Sequence, residues 1–193
     1  MKKPISIKKE QFLYIETAKQ RVMEFIFKYP DKEFSLSELA KQACVKKSNI
    51  GAILKELYDA GFIEITKLAN LWRIKANQRS WTYIRSKIVY NLNFVYQSGL
   101  VEFLIEHFKN PKSIILFGGF RKGEDISSSD IDIAVESEDK EYRSMGLREL
   151  VELEEAIGRK IQIHLFNQKT IDKHVFSNII NGIVLWGFLE LKL

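Results

Sequence analysis

Hydrophobic and polar positions in the first part of the chain follow the spacing of helices. Over residues 7–28, apolar side chains recur every three or four positions, as on one face of a helix, and Pro30 ends this run. Ser35 is followed three residues later by Glu38, a pair that can satisfy free backbone amides at a helix start as a capping box. The pattern therefore predicts two helices before a break at Cys44.

A third helix, a hairpin and a longer helix are predicted next. Apolar residues share one helical face over residues 46–60, and Gly61 can adopt the left-handed conformation that ends a helix. Over residues 62–74, two alternating apolar runs flank a short polar tip, which is a hairpin signal. A further helical stripe then predicts a connecting helix; it consists of Trp81, Ile84, Ile88, Leu92 and Val95.

The second half of the chain changes to strands separated by loops or helices. An amphipathic segment over residues 100–108 precedes the change. Residues 113–117 then form a short β-rich run that leads directly into Gly118 and Gly119. Glycine has no Cβ to shield its backbone. In a loop after the strand, a phosphate can therefore approach the amides of these two residues.

Two aspartates follow in the next apolar run. Side chains alternate along a strand, so Asp130 and Asp132 share one face while Ile131 and Ile133 face the core. Adjacent carboxylates repel each other unless a cation lies between them, and Mg²⁺ takes one or two carboxylates together with water and substrate phosphates. Such ligands are typical of metal-assisted nucleotidyl transfer. The alternative is that the aspartates cap a loop or face water on an edge strand.

Composition and charge narrow the class of protein. The chain has 193 residues, enough for two small domains, and its 46% hydrophobic and 28% charged residues are typical of a soluble globular protein. Its apolar runs are shorter than the roughly 20 residues that span a bilayer, and no secretory signal follows the first residues, so we expect a cytoplasmic protein without membrane contact. A net charge of +5 favours polyanionic partners such as nucleic acid or nucleotides.

The single cysteine, Cys44, excludes an internal disulfide and a thiolate-rich zinc site. We expect it to be a small buried hydrophobe.

The stretch "LSELAKQACVKKSNIGAILKELYDAGFIE" resembles the winged helix-turn-helix family, and the resemblance extends over residues 35–75. It implies a recognition helix that opens over residues 46–50 and contacts duplex DNA in the major groove, with a wing near phosphates. The implied DNA-binding residues are Lys46, Lys47, Ser48, Asn49, Lys67 and Arg73. The alternative is that these residues cap and solvate a helix while the module packs against the second domain or a partner.

The stretch "FGGFRKGEDISSSDIDIAVE" resembles the nucleotidyltransferase superfamily of the DNA polymerase beta type, in its minimal nucleotidyltransferase branch. The similarity covers roughly residues 98–193 and includes the tail "NIINGIVLWG". The two resemblances together imply an α+β chain. A winged helix-turn-helix domain over 1–77 is joined by a connecting helix over 78–97 to a nucleotidyltransferase domain with a mixed sheet over 98–193.

The same resemblance implies roles for individual residues and a substrate. Asp130 and Asp132 would be catalytic Mg²⁺ ligands, and ATP or another nucleoside triphosphate would be the nucleotide. The implied nucleotide-binding residues are Gly118 and Gly119, through their backbone amides, and Lys122 and Ser129, which would flank the phosphates.

The chain departs from the family pattern at the third carboxylate, which activates the attacking hydroxyl. In "GRKIQIHLFN" the matching position is Gln162, and an amide cannot accept a proton as a base. His164 lies two residues on, so its side chain projects to the same face, and a neutral imidazole could take the role of catalytic base. Glu136 is a more distant substitute.

Two functions therefore remain open. One is an enzyme that transfers a nucleoside monophosphate to a hydroxyl of a protein, nucleic acid or small molecule; the resemblance implies that a paired helical toxin is one such acceptor. The other is a DNA-binding regulator whose degenerate transferase domain binds nucleotide or mediates homodimer formation. A pure scaffold would leave the paired aspartates without a reason to lie together.

Overall fold

The computed structural model describes residues 17–68, 71–139 and 141–190. The chain divides into two compact units, and the boundary lies between Tyr90 and Asn91. The first part of the predicted helix over 7–28 lies outside the described residues. Within the described ranges, every helix is too short or too polar to span a bilayer.

The first unit begins with three helices, α1 (Ala18–Lys28), α2 (Leu36–Gln42) and α3 (Lys47–Asp59). The predicted capping box is present at α2, where the Ser35 amide donates to Glu38 at 2.7 Å and the Glu38 amide donates to the Ser35 hydroxyl at 3.2 Å. Gly61 has a φ of +70° just after α3, as predicted for the residue that ends this helix.

The predicted hairpin follows as two antiparallel strands, β1 (Ile63–Leu68) and β2 (Leu71–Ala76), whose connecting residues 69–70 lie outside the described ranges. Phe34, ahead of α2, adds a single bridge to Ile74 of β2. The three helices and the hairpin enclose one core that includes Val22, Ile26, Leu39, Ile50, Leu54 and Ile74. Burial of each such side chain contributes about 1.5–3 kcal/mol, so this core holds the unit together.

The turn between α2 and α3 corrects the expectation for Cys44. Its side chain is exposed, and its backbone is left-handed with a φ of +51°. Val45, the next residue, is buried instead. The turn therefore directs Val45 into the core and Cys44 to solvent, while Arg21 donates to the carbonyls of Ala43 and Cys44 at 2.9 and 3.3 Å.

The longer helix α4 (Trp81–Gln97) is present as predicted, but its buried face differs. Trp81, the first residue of the predicted stripe, is 66% exposed. The buried positions recur every fourth residue and are Tyr83, Lys87, Asn91 and Val95. Lys87 and Asn91 are polar, so the positions of hydrophobic residues alone do not locate the buried face of α4. A buried polar side chain needs hydrogen-bond partners, and Asn91 donates to Phe120 and Asp125.

The second unit is built on a five-stranded mixed sheet. Its strands are β3 (Ser113–Phe117), β4 (Ile131–Glu136), β5 (Arg143–Met145), β6 (Ile161–Phe166) and β7 (Ile183–Gly187). Its helices are α5 (Leu100–His107), α6 (Gly118–Lys122), α7 (Val151–Ile157) and α8 (Lys173–Ile180). The strand order is β5-β6-β4-β3-β7, in which β4 and β6 are parallel and the other neighbours antiparallel. The predicted α+β class with a mixed sheet is confirmed.

The two faces of this sheet are covered differently. Ile131, Ile133 and Val135 of β4 pack in one large core with residues of α5 and α7. On the opposite face, Ala134 packs in a smaller cluster with Ile179 of α8. The same face carries polar side chains at the starts of β4 and β6, and these form the candidate site.

Candidate functional site

Asp132 lies in the middle of the polar face. The strand register pairs it with Phe117 of β3 on one side and Gln162 of β6 on the other. Its side chain is 30% exposed. Ile131 and Ile133 are fully buried, which confirms the predicted alternation along the strand. Asp130 is exposed and precedes the first residue of β4, so only one of the two aspartates lies within the strand.

Gly118 leaves space for the Asp132 carboxylate. Its φ is +74°, and a Cβ at this position would lie 2.5 Å from Oδ2 of Asp132. Only glycine therefore fits between the end of β3 and this carboxylate without movement. The glycine pair opens the short helix α6 rather than the predicted loop, and the neighbour of a Cβ at Gly119 would be the Asp125 amide at 3.8 Å.

We expect Gly118→Ala to displace Asp132 and to weaken Mg²⁺-dependent nucleotide binding. A left-handed non-glycine residue costs about 1–2 kcal/mol, and the close contact with Oδ2 adds to this cost. Thermal unfolding and calorimetric titration with ATP measure the two effects. Gly119→Ala is the matched control, because its φ is not left-handed and its new methyl group would make ordinary contacts. Equal losses in the two variants would contradict this role of Gly118.

His164 connects Asp132 to a tyrosine that the sequence pattern does not single out. Nε2 of His164 lies 3.1 Å from Oδ1 of Asp132, and Nδ1 lies 2.5 Å from the hydroxyl of Tyr142, just ahead of β5. Burial raises the pKa of Tyr142 above its usual value, and the negative charge of Asp132 raises it further. The phenol therefore keeps its proton at neutral pH.

Gln162 occupies the strand position beside Asp132, as the predicted match to the third carboxylate requires. Its Oε1 accepts a hydrogen bond from the Ser144 hydroxyl at 3.3 Å. Glu136 is not close to this position in the strand. Its two oxygens accept from Ser113 at 3.0 Å and from Gln168 at 2.9 Å at the far end of β4. His164 is therefore the predicted base that the fold brings to Asp132.

The other two predicted nucleotide-binding side chains have local partners. The Ser129 hydroxyl accepts from the Ile126 amide at 2.9 Å and thereby closes the turn before Asp130. Lys122 ends α6, is exposed, and lies 4.0 Å from Glu124. No described hydrogen bond or ion pair joins either side chain to Asp132.

A buried polar cluster supports the segment between α6 and β4. The Asp125 carboxylate is completely buried; it accepts from Asn91 at 2.9 Å and pairs with the Arg159 guanidinium at 2.8 Å. Arg159 also donates to the carbonyls of Ile126 and Ser129. The hydrophobic pattern carries no signal for this cluster, because its members come from three separate parts of the chain.

The predicted DNA-binding residues lie on the first unit. Lys46 precedes α3, and the first turn of α3 contains the exposed Lys47, Ser48 and Asn49. The Ser48 hydroxyl donates to Oδ1 of Asn49 at 2.9 Å. On the hairpin, Lys67 lies over the ring of Trp72 at 4.8 Å, and Arg73 is 3.6 Å from Glu33. All four cations of this set are exposed, and no described ion pair involves Lys46 or Lys47.

The carboxylate oxygens of Asp130 and Asp132 suit a hard cation whose other ligands are substrate phosphates and water. Among residues 17–68, 71–139 and 141–190, no group of three or more His, Cys, Asp or Glu side chains could hold a metal ion. Asp132 nevertheless has one oxygen, Oδ2, on the side of Gly118, and the described contact with His164 uses the other oxygen, Oδ1. Asp130 is exposed immediately before it. One or two carboxylates are what Mg²⁺ takes when substrate phosphates complete its coordination, so these residues fit the ion.

A comparison with protein families agrees with this geometry. The family model for a nucleotidyltransferase domain matches residues 98–185, which contain the glycine pair, both aspartates, Gln162 and His164. The predicted similarity of the C-terminal half to nucleotidyltransferases is thereby confirmed. No curated protein and no solved structure matches the chain.

Proposed function

We propose that this protein transfers a nucleoside monophosphate from a nucleoside triphosphate, with ATP as the first candidate, to a hydroxyl acceptor, and that the transfer uses Mg²⁺. The observation that carries the proposal is the approach of Oδ2 of Asp132 to Gly118, within a region that matches a nucleotidyltransferase domain.

Asp130 and Asp132 would hold the ion, and the amides of Gly118 and Gly119 would contact the phosphates. When bound, Mg²⁺ neutralises the triphosphate and stabilises the oxygens that attack and leave. The chain's own contribution is orientation: the buried pair of Asp125 and Arg159 keeps the preceding turn in place. Phe117, whose ring centre lies 5.0 Å from that of His164, limits water on one side of the imidazole.

His164 takes the place of the missing third carboxylate in this proposal. Gln162 cannot accept a proton, whereas one imidazole nitrogen can. The contact between His164 and Asp132 at 3.1 Å supports this role.

The test is to mix the purified chain with labelled ATP, with and without Mg²⁺, and to measure binding by equilibrium dialysis and release of pyrophosphate. We expect binding that requires Mg²⁺. Absence of nucleotide binding under both conditions would refute the proposal. Binding without pyrophosphate release would favour the alternative of a degenerate domain that senses nucleotide.

Duplex DNA binding by the first unit is a second candidate function. The order of three helices and a hairpin agrees with the winged helix-turn-helix resemblance. Charge supports it too, because residues 17–90 contain 14 Lys and Arg but only 7 Asp and Glu. An excess of positive charge on one unit favours binding of a polyanion such as DNA. Such binding is compatible with a transferase that acts near DNA and with a regulator.

Lys46→Ala is expected to weaken DNA binding and to lower the salt dependence of the affinity. Loss of one phosphate contact reduces the slope of log affinity against log salt by about 0.9. Fluorescence anisotropy with labelled duplex over a salt series measures this slope. Lys19→Ala is the matched control, since Lys19 already pairs with Glu56 at 2.8 Å. Binding that does not depend on salt would argue against the DNA contact.

We also propose a protein partner, either a second copy of the chain or a helical toxin that accepts the nucleotide. The support is an apolar row along the sheet edge at β7, where Val184, Trp186 and Phe188 are 43%, 44% and 75% exposed. Edge strands with exposed apolar side chains are prone to pair with another chain. Sedimentation of the purified chain distinguishes a homodimer from a monomer.

A further inference from the structure

Three polar side chains form a line across β4, β6 and the segment before β5. The Tyr142 hydroxyl lies 2.5 Å from Nδ1 of His164, and Nε2 of the same ring lies 3.1 Å from Oδ1 of Asp132. An aspartate can only accept, and a neutral imidazole has one donor and one acceptor. When the ring is neutral, one arrangement satisfies both contacts: Nε2 carries the proton that Asp132 accepts, and Nδ1 accepts from the phenol.

This order of groups is that of an activated nucleophile. A hydroxyl faces an imidazole nitrogen, and a carboxylate on the far side of the ring would fix the tautomer of the neutral ring and stabilise the imidazolium that forms. Tyr142 is 41% exposed, so the residue lies at the surface. A single imidazole ring separates this oxygen from the carboxylate that faces Gly118.

We propose that Tyr142 is a nucleotide acceptor within the chain, so that the protein modifies itself. The inference rests on the proposed transfer from a nucleoside triphosphate. The phenolic oxygen forms a bond to the α-phosphorus, the bond between that phosphorus and the β-phosphate oxygen breaks, and pyrophosphate leaves. The phenolic proton passes to Nδ1 of His164, and the product is a phosphodiester between Tyr142 and the nucleoside.

Two other hydroxyl groups near the site, those of Ser144 and Ser129, have no such base among their described hydrogen bonds. Ser144 donates to Oε1 of Gln162, and an amide oxygen does not take up the proton. The Ser129 hydroxyl accepts from the amide of Ile126, and no described contact links it to an imidazole or a carboxylate. Tyr142 is therefore the hydroxyl on this face that the geometry prepares for attack. Attack requires such a base, because a phenol does not ionise by itself at neutral pH.

Intact-mass spectrometry after incubation with ATP and Mg²⁺ tests the inference. We expect the wild-type chain to gain the mass of one adenylate, and peptide mapping to locate it on Tyr142. Tyr142→Phe should lose this modification completely. Tyr96→Phe is the matched control, because Tyr96 is also about half exposed and belongs to the same unit, and it should be modified like the wild type.

The outcomes separate this inference from the proposed function. Wild-type protein that binds ATP and releases pyrophosphate, or modifies another acceptor, without an adenylate of its own would overturn the inference and leave the function intact. Adenylate on Tyr142→Phe at another residue would also overturn it. Wild-type protein that binds no ATP would overturn both.

A measurement without metal or nucleotide tests the hydrogen-bonded line directly. Nitrogen NMR of the histidine rings should show the Nε2-protonated tautomer at His164, with the Nδ1 resonance shifted by the phenol. Tyr142→Phe should remove that shift. An Nδ1-protonated ring in the wild type would refute the inference, since that nitrogen could not then receive the phenolic proton.

Discussion

Asp132→Asn is expected to reduce nucleotidyl transfer by about a hundredfold or more. The amide has nearly the shape of the carboxylate but lacks its negative charge. A metal ion that acts as a Lewis acid contributes several kcal/mol to the transition state, and each 1.36 kcal/mol corresponds to a factor of ten in rate. The side chain beside Gly118 faces phosphates in our proposal, so loss of charge there weakens the ion that neutralises them.

The substitution also tests the site with little effect on the fold. The asparagine oxygen can still accept from Nε2 of His164, and the position is partly exposed, so we expect little change in thermal unfolding. Magnesium-dependent ATP binding and pyrophosphate release are the measurements. Asp139→Asn removes the same charge from an exposed position beyond the end of β4 and serves as the control. Wild-type binding and rate in Asp132→Asn would refute a metal role for this carboxylate.

Local signals explain how much of the fold could be predicted from the sequence. The capping box at Ser35, the left-handed Gly61 and the alternation around Ile131 and Ile133 each depend on residues within a few positions of one another. These features were correct because backbone geometry over such short distances is determined by the residues themselves. The position of Gln162 beside Asp132, on a neighbouring strand, was predicted from the resemblance to nucleotidyltransferases and not from local residue patterns.

Contacts between distant parts of the chain explain the features that could not be predicted from the sequence. The buried face of α4 was predicted only in part: Val95 is buried, but Asn91 is buried by hydrogen bonds to Phe120 and Asp125, which no hydrophobic pattern reports. The prediction that Cys44 is buried was wrong because the turn exposes this residue. The contact of Tyr142 with His164 depends on how β5 pairs with β6, and strand pairing is not readable from one strand.

Asp125→Ala is expected to lower the free energy of unfolding by about 3–5 kcal/mol. The Asp125 and Arg159 side chains are 0% and 5% exposed, and removal of one member of a buried ion pair leaves the other charge without compensation. Urea denaturation followed by circular dichroism measures the loss. Glu124→Ala is the matched control next in the chain, because its pair with Lys122 is long and more than half exposed and is worth only about 0–1 kcal/mol.

Replacement of both charges distinguishes the cost of an orphaned charge from the value of the pair itself. Apolar residues of similar size are often neutral or stabilising in place of a buried pair, so Asp125→Leu combined with Arg159→Met should recover much of the stability that Asp125→Ala loses. The double variant would still lack the guanidinium that holds the carbonyls of Ile126 and Ser129. We therefore expect restored stability with weakened nucleotide binding. Recovery of both would mean that Arg159 stabilises the unit without positioning the turn that leads to Asp130.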